Sequence, residues 1–372
     1  MQKVLVVGGG FSGMCAAIQL RKIGAQVDLV EIDRDWRSYG AGISINASCL
    51  RALKTIGVLE EVMSQGACSD GVDLFTSSGM KIGELPAVRL IGSDVPGSGG
   101  IMRPVLARIL ADATRASGVN VRLGCTFDSI SQTEQAVSVT FADGSSGVYD
   151  LAIGADGLKS KVRELLFPNA PHPSYTGQGV WRAVARRPHS IERPAMYMGA
   201  RLKAGVNPVS RDEMYLFVTE NRPLNERISS EQWLPSLKAM LADFSATVIA
   251  TVRDELGALS RIVYRPLEAL LLPRPWRQGR VALIGDAAHA TTPHLAAGAG
   301  LGIEDAIVLA EELRNADKVS VALERFQQRR WERCRMVVEN SIRLGEIEQG
   351  KGTQQEHAQI MRMCMQALAA PI

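Results

Sequence analysis

Two glycine-containing segments, far apart in the chain, carry residue types suited to holding a nucleotide cofactor. The first is the GxGxxG loop of residues 8–13, and the second is Gly285-Asp286, followed downstream by Gly298-Ala299-Gly300. Glycines let the backbone approach a pyrophosphate, and the free N–H groups at a helix N-terminus attract its charge. A carboxylate such as Asp286 accepts hydrogen bonds from hydroxyl groups. The two segments together predict a bound dinucleotide.

The elements around the first loop have the pattern of a βαβ unit. An apolar strand at residues 3–7 runs into the loop, a helix follows to Ile23, and a second strand ends at Glu31. An acid about 20 residues beyond such a loop commonly binds a ribose. The unit alone does not separate NAD from FAD, whereas its pairing with Gly285-Asp286 favours a flavin.

Composition narrows the class of protein. The chain has 372 residues, 46% hydrophobic and 22% charged, and a net charge of +3. This length favours two domains, and the small charge gives no reason to expect binding to nucleic acid or to a membrane surface. The six cysteines lack a CxxC pair, so we expect neither a disulfide framework nor a metal site. We expect a cytoplasmic protein, either a monomer or a homodimer.

The remaining pattern predicts an α/β fold, with a Rossmann-like FAD-binding domain on a parallel sheet and a smaller α+β substrate domain on an antiparallel sheet. A buried strand delivers Asp156-Gly157, short alternating strands with one helix at residues 232–244 follow, and an apolar strand then reaches Gly285. A further helix is predicted at residues 48–59. The FAD-binding domain is predicted to be discontinuous, over 1–70, 98–172 and 265–345, with the substrate domain at 71–97 and 173–264 and a helical extension at 346–372.

The glycine loop, Asp156-Gly157 and Gly285-Asp286 together resemble the flavin-dependent aromatic hydroxylases of the p-hydroxybenzoate hydroxylase type, in that family's order and across the whole chain. The residues around His294 look most like those of salicylate and 6-hydroxynicotinate hydroxylases. The resemblance implies FAD as cofactor and NADH or NADPH as transient reductant. It implies that O2 forms a flavin hydroperoxide, which hydroxylates a small aromatic or heteroaromatic substrate, an acid or a pyridinol, with or without decarboxylation.

The same resemblance assigns the site residues. Those that would hold FAD are Gly8, Gly10, Gly13, Glu31, Arg37, Gly42, Arg103, Asp156, Asp286, Gly298, Ala299 and Gly300. His294, whose ring can change charge near neutral pH, is our candidate for raising electron density on the substrate. Tyr215 is the second catalytic candidate, although core packing explains it equally well.

Several side chains on the predicted antiparallel strands could contact the substrate. Lys203, Arg201 and Arg182 could bind a carboxylate, and Phe217 shares a strand face with Tyr215. His289 is interpreted as structural.

Departures from the family pattern leave alternatives open. Urate hydroxylases have an aspartate where this chain has His294, and 6-hydroxynicotinate enzymes have a histidine at the position of Ser44. Hydroxylation of a purine such as urate, or of another non-benzenoid substrate, remains an alternative. Flavin-dependent halogenases share the fold but require a Trp-x-Trp pair that this chain lacks. The prenyl-GTPase escort proteins are a non-enzymatic alternative, although their flavin motifs are eroded.

Overall fold

The computed structural model describes residues 3–38, 40–90, 94–200 and 202–372. The strands are β1 (Lys3–Val7), β2 (Gln26–Glu31), β3 (Gly42–Asn46), β4 (Ala67–Ser69), β5 (Gly71–Thr76), β6 (Lys81–Pro86), β7 (Ser98–Met102), β8 (Asn120–Leu123), β9 (Phe127–Gln132), β10 (Val137–Phe141), β11 (Ser146–Tyr149), β12 (Leu151–Gly154), β13 (Ser174–Arg186), β14 (Ala195–Met198), β15 (Lys203–Pro208), β16 (Glu213–Asn221), β17 (Ile262–Ala269), β18 (Arg277–Gln278) and β19 (Val281–Leu283). The helices are α1 (Phe11–Lys22), α2 (Ala47–Ile56), α3 (Leu59–Gln65), α4 (Arg103–Ala116), α5 (Lys161–Leu166), α6 (Ser230–Leu241), α7 (Thr247–Glu255), α8 (Asp286–His289), α9 (Gly298–Asn315), α10 (Val319–Glu348) and α11 (Gln354–Ala369), with a 3-10 turn at Pro293–Leu295.

A largely parallel sheet forms the centre of the FAD-binding half. Among the described residues it has the order β18-β19-β12-β1-β2-β8, and only the pairing of β18 with β19 is antiparallel. Strand β1 lies between β12 and β2, and its residues Val4 to Val6 are fully buried, which explains their uninterrupted apolar run. The strands that precede the glycine loop, Asp156 and Gly285 are therefore neighbours in one sheet.

A second, mainly antiparallel sheet has the order β17-β13-β16-β15-β14-β5-β6 within the described part of the chain. Only the pairing of β14 with β5 is parallel. One face of this sheet, including Trp181 and Leu216, packs beneath residues of α6 and α7 such as Leu237 and Ile249. The opposite face carries Tyr215 and Phe217 and packs against Ala41 and Met102 of the FAD-binding half.

These two sheets confirm the predicted fold class, and the helix boundaries require two corrections. The helix expected over residues 48–59 ends earlier, at Ile56, because Gly57 adopts φ 97°, and a separate helix, α3, begins at Leu59. The single helix expected at 232–244 is followed by a second one, α7. Its sequence TVIATVRDE is rich in β-branched residues, which favour strands in isolation, and packing against the sheet decides its structure. Within the described ranges, no helix is long and apolar enough to cross a membrane.

Candidate functional site

The glycine loop combines two close backbone contacts with one open position. Gly8 has φ 105°, a conformation that favours glycine, and a Cβ on Gly13 would overlap the carbonyl oxygen of Gly8. A Cβ on Gly10, by contrast, would have no atom within 4 Å. Gly10 precedes α1, whose N-terminus has no side-chain cap. The loop therefore offers uncapped N–H groups beside open space, as a pyrophosphate requires.

Glu31 is held rigidly beside this loop. The backbone N–H of Gly9 donates to Oε2 at 2.7 Å, and that of Asp33 donates to Oε1 at 2.8 Å. Each carboxylate oxygen has a second lone pair with which to accept a ribose hydroxyl. Arg37, a predicted cofactor residue, forms an ion pair with Asp33 at 3.2 Å.

Asp156 organises the turn after β12. Its carboxylate accepts hydrogen bonds from the Ser160 hydroxyl at 2.5 Å and the Val162 amide at 3.0 Å, and burial raises its pKa. The buried Arg163 donates to the carbonyl oxygen of Ala287 at 3.0 Å. The segment after β12 is thereby fixed to the segment that contains Asp286.

The Gly285-Asp286 segment meets the glycine loop directly. Gly285 has φ 60°, and a Cβ on either Gly285 or Gly302 of α9 would collide with the Ser12 side chain. The glycine loop, the segment after β19 and the start of α9 therefore converge on one small volume. Asp286, the first residue of α8, keeps an exposed side chain at this place.

Arg103 and Asp286 carry opposite charges that attract each other where these segments converge. Arg103 begins α4, and its guanidinium lies 5.0 Å from the centre of the Phe11 ring. The surrounding protein atoms desolvate both groups, although the Asp286 side chain keeps its surface exposed: this lowers the pKa of Arg103 and raises that of Asp286, and the attraction between the two charges opposes both shifts. Neither side chain forms a hydrogen bond or a close ion pair with any described residue. Both are therefore available to a ligand.

The N-terminus of α9 carries Gly298, Ala299 and Gly300, and a buried charge cluster lies behind it. Asp305 Oδ2 accepts from the Gly285 amide at 2.8 Å and lies 2.6 Å from His289 Nε2. Its Oδ1 accepts from Arg330 Nε at 2.7 Å. Despite burial, His289 and Arg330 lower the pKa of Asp305, while Cys334 and Asp305 raise that of His289. His289 thus has the structural position predicted for it.

On the inner face of the seven-stranded sheet, Tyr215 forms a polar contact with the FAD-binding half. Its hydroxyl shares a hydrogen bond of 2.6 Å with Ser44, and Asn207 Nδ2 donates to Ser44 Oγ at 2.5 Å. A Cβ on Gly42 would overlap the Tyr215 ring, and Phe217 lies 5.9 Å from that ring, centre to centre. Tyr215 is therefore buried but has a polar, hydrogen-bonded tip.

Arg182 lies on the same face, opposite Phe217 in the pairing of β13 with β16. Burial lowers its pKa, the nearby Tyr215 opposes this shift, and Arg265 adds to it. Its guanidinium has no hydrogen bond or ion pair within the described part of the chain. An unpaired, half-buried cation is costly unless a ligand supplies the missing charge.

The other predicted substrate residues are arranged differently. His294 Nδ1 lies 2.8 Å from Thr292 Oγ1, and its Nε2 faces Glu348 at 3.5 Å. Both ring nitrogens therefore face protein groups, and one contact would have to open for direct proton exchange with a substrate. Lys203 forms an ion pair with Glu348. Arg201 lies outside the described residues.

The sequence did not identify Asn207 or Glu348 as site residues, and it did not favour Arg182 over Lys203 or Arg201 as the carboxylate-binding residue. The period of two along β15 places Asn207 on the face that carries Lys203, so this signal was available. Glu348 is the last residue of a long helix, and no local pattern predicts its contacts with β15 and the 3-10 turn.

Comparison with known proteins places these features in a family. The family profile described as "FAD binding domain" matches residues 1–341. A Bacillus subtilis (strain 168) protein assigned as the FAD-dependent monooxygenase YetM is 31% identical over 332 residues, 89% of each chain. The 2-heptyl-3-hydroxy-4(1H)-quinolone synthase of Pseudomonas aeruginosa (strain PAO1) is 29% identical, covering 93% of this chain and 89% of the synthase. The crystal structure of Klebsiella pneumoniae HpxO with FAD and uric acid superposes with TM-score 0.84 at 24% identity, over 99% of this chain and 92% of that one.

Proposed function

The chain belongs to the FAD-binding-domain family and is a FAD-dependent monooxygenase, and from this premise we propose that it hydroxylates a small, acidic, hydroxylated aromatic or heteroaromatic ring. Membership of this enzyme family sets aside the non-enzymatic escort alternative. The proposal concerns the substrate and the residues that hold it.

The overall reaction balances with NAD(P)H as the two-electron donor. One atom of O2 enters the ring as a hydroxyl group, and the other leaves as water. Three hydrogens, the hydride of NAD(P)H, one solvent proton and the hydrogen displaced from the ring carbon, account for the one in the hydroxyl group and the two in water. Bound FAD supplies the redox chemistry by accepting electrons from NAD(P)H and activating O2. The protein's own residues bind, orient and desolvate the reactants.

We propose that the cofactor is held by the convergence of segments described above. Gly10 leaves room for the pyrophosphate at the start of α1, and Glu31 accepts ribose hydroxyls. Asp286 and Arg103, which have no hydrogen bond or ion pair with a described residue, would contact the ribitol and phosphate groups. Residues 298–300 offer the N-terminus of α9 to the negative charge that develops on a reduced flavin.

The unpaired guanidinium of Arg182 is the observation that carries the choice of an acidic substrate. It lies across from Phe217 on the face that packs against the FAD-binding half. A carboxylate would neutralise it with two parallel hydrogen bonds, a geometry for which arginine is well suited. We therefore assign the substrate's acidic group to Arg182.

Tyr215 is proposed to contact the ring hydroxyl. When Ser44 donates to the tyrosine oxygen, the Tyr215 O–H is free to donate to the substrate; in the reverse arrangement, the tyrosine oxygen can accept from it. Either arrangement orients the ring. Accepting a hydrogen bond from the substrate's hydroxyl would weaken its O–H bond and raise the electron density at the carbon that is hydroxylated.

His294 keeps its predicted catalytic role as a proposal, with its action relayed through the Thr292 hydroxyl. Replacement of His294 by Asn should lower turnover while leaving the FAD content unchanged. Unaltered kinetics would show that the ring serves only to order the loop.

A neutral quinolone-type ring is a second candidate substrate. The Pseudomonas relative is named for a hydroxyquinolone product and covers nearly the whole chain. The surroundings of Tyr215 are apolar, formed by Ala41, Met102 and Val209, and match the chemistry of a neutral ring better than that of an anion. Urate hydroxylation remains a further alternative, because a relative from Mycolicibacterium vanbaalenii that is 29% identical carries that name.

A substrate screen separates these candidates. The holoenzyme is mixed with NADH or NADPH and with panels of hydroxybenzoic acids, hydroxypyridine carboxylic acids, 4-quinolones and urate, and products are identified by mass spectrometry. The proposal expects a hydroxylated product from an acid panel. Product formation only from 4-quinolones or urate would reject a carboxylic acid as the substrate.

The domain division is also retained as a proposal, with the substrate domain at 71–97 and 173–264. The membership of β5, β6 and β13 to β17 in one sheet supports it. A monomer or homodimer remains the proposed assembly.

A further inference from the structure

The end of α10 brings one carboxylate against three basic side chains from three different elements. Glu348 forms an ion pair with Lys203 of β15, its Oε2 lies 3.5 Å from His294 Nε2, and its Oε1 lies 3.6 Å from His357 Nε2 of α11. Its backbone oxygen also accepts from Asn221 Nδ2 at 3.3 Å. The Glu348 side chain is only 18% exposed. The carboxylate is therefore fixed in place and poorly screened by solvent.

Glu348 remains ionised in this environment. Burial opposes its negative charge, but the close contacts with His294 and His357 and the charge of Lys203 together lower its pKa. A permanent negative charge thus lies beside the face of the seven-stranded sheet that carries Lys203 and Arg182, which is called the basic face below.

The sheet pairing shows which cation this charge neutralises. Lys203 pairs with Thr219, two residues along β16 from Phe217, which in turn pairs with Arg182. Lys203 and Arg182 therefore share a face, and by type either could bind a carboxylate. Of these two cations, only Lys203 has an anionic partner in the described part of the chain, so Arg182 is the one of the two that remains available to a ligand.

We propose that Glu348 is an internal counter-ion that determines substrate specificity by withdrawing Lys203 from the substrate and reserving a single acidic group for Arg182. The inference rests on the proposed acidic substrate. It assigns Glu348 a positioning role, since it acts through Lys203 and does not touch the substrate. It also explains why Lys203 need not contact the substrate, although it is a cation on the same face of the sheet as Arg182.

The test uses the FAD-loaded enzyme and two probes of similar shape, benzoate as an anion and phenol as a neutral ring. Dissociation constants are obtained from the change in flavin absorbance on titration. Glu348→Gln keeps the size of the side chain but releases the charge of Lys203. Benzoate should then bind roughly tenfold more tightly, about 1.4 kcal/mol, while phenol binding stays the same. The double variant Lys203→Met with Glu348→Gln should return benzoate binding to that of the wild type.

Unchanged or weaker benzoate binding in Glu348→Gln, or no benzoate binding to either protein, would overturn the inference. An equal gain for phenol would also overturn it, because a charge effect must distinguish the two probes.

If Glu348→Gln does not retain FAD, Lys203→Met provides the second test. Benzoate binding should weaken because Glu348 is then unpaired, and equal binding contradicts the proposal. Arg182→Met separates this inference from the proposed function. If that change leaves benzoate binding intact, the acidic substrate is rejected, whatever Glu348 does.

Discussion

The hydroxyl of Tyr215 lies 2.6 Å from the hydroxyl of Ser44. This hydrogen bond connects the seven-stranded sheet to the glycine-rich segment of the FAD-binding half. Ser44 also accepts a hydrogen bond from Asn207. Three residues from β3, β15 and β16 thus form a short polar chain beside the apolar contacts of Gly42 and Phe217. These three hydrogen-bonded side chains are the structural basis for proposing that Tyr215 contacts the substrate.

Tyr215→Phe should lower turnover roughly a hundredfold, the range expected when a hydrogen bond that assists loss of the substrate's proton is removed. The ring remains to pack against Gly42, so FAD content and melting temperature should change little. The matched control is Tyr197→Phe, because Tyr197 is equally buried but packs in the cluster on the opposite face. Stopped-flow and steady-state assays with the substrate identified by screening measure the effect. Equal turnover in both variants would assign Tyr215 to core packing alone.

Arg182→Met should weaken binding of an acidic substrate by about ten- to a hundredfold, because one charge-assisted contact is lost. Binding of FAD should not change. Arg186→Met, on the same strand but exposed, is the control and should leave binding unaffected. Titration of each holoenzyme with the acid, followed by flavin absorbance, decides between the outcomes. Similar affinities for the two variants would argue for a neutral substrate.

Gly10→Ala should lower the affinity for FAD, whereas Gly13→Ala should lower the stability of the fold. Gly10 has φ −73° and open space around it, so alanine should leave the apoprotein folded but obstruct the pyrophosphate and reduce FAD affinity at least about tenfold. At Gly13 the new Cβ would overlap the Gly8 carbonyl, and overpacking should cost roughly 1–3 kcal/mol of folding stability. Apoprotein melting and FAD reconstitution, measured on both variants, give the comparison. Normal FAD binding by Gly10→Ala would place the pyrophosphate elsewhere.

Asp305→Asn should destabilise the protein by about 3 kcal/mol at neutral pH, because His289 and Arg330 lose a buried counter-charge. Glu311→Gln, which removes a half-exposed partner of Arg329, should cost less than about 1 kcal/mol. Urea unfolding at equilibrium measures both values.

The Asp305 effect has a defined pH dependence. The pKa of Asp305 is lowered from its ordinary 3.8 in the folded protein, so its contribution is fully present above pH 3.8 and is lost as the pH falls further. The stability difference between wild type and Asp305→Asn should therefore narrow in acid. A difference that grows as the pH falls below 3.8 would contradict the assigned direction of the shift.

The fold was predictable because its strongest signals are local. The strand, glycine loop and helix at residues 3–22 are adjacent in sequence, and the apolar run of β1 directly reflects burial on both sides. Helix α7 was missed because tertiary packing overrides the strand preference of its β-branched residues.

The site was predictable only where backbone geometry determines residue type. Gly8 requires glycine because its φ is positive, and Gly13 requires glycine because a Cβ there would overlap the Gly8 carbonyl oxygen. Such positions can be recognised in a sequence. The pairing of Lys203 with Glu348 joins residues from distant elements, and no spacing rule connects them. Which cation on a basic face remains unpaired is therefore a property of the folded protein.

Incubation of the holoenzyme with NAD(P)H, 18O2 and the aromatic acids of the screen tests the central claim most directly. The account predicts a hydroxylated product containing one 18O atom for each NAD(P)H oxidised in coupled turnover. A product without 18O, or NAD(P)H oxidation that yields only hydrogen peroxide with every acid, would contradict it.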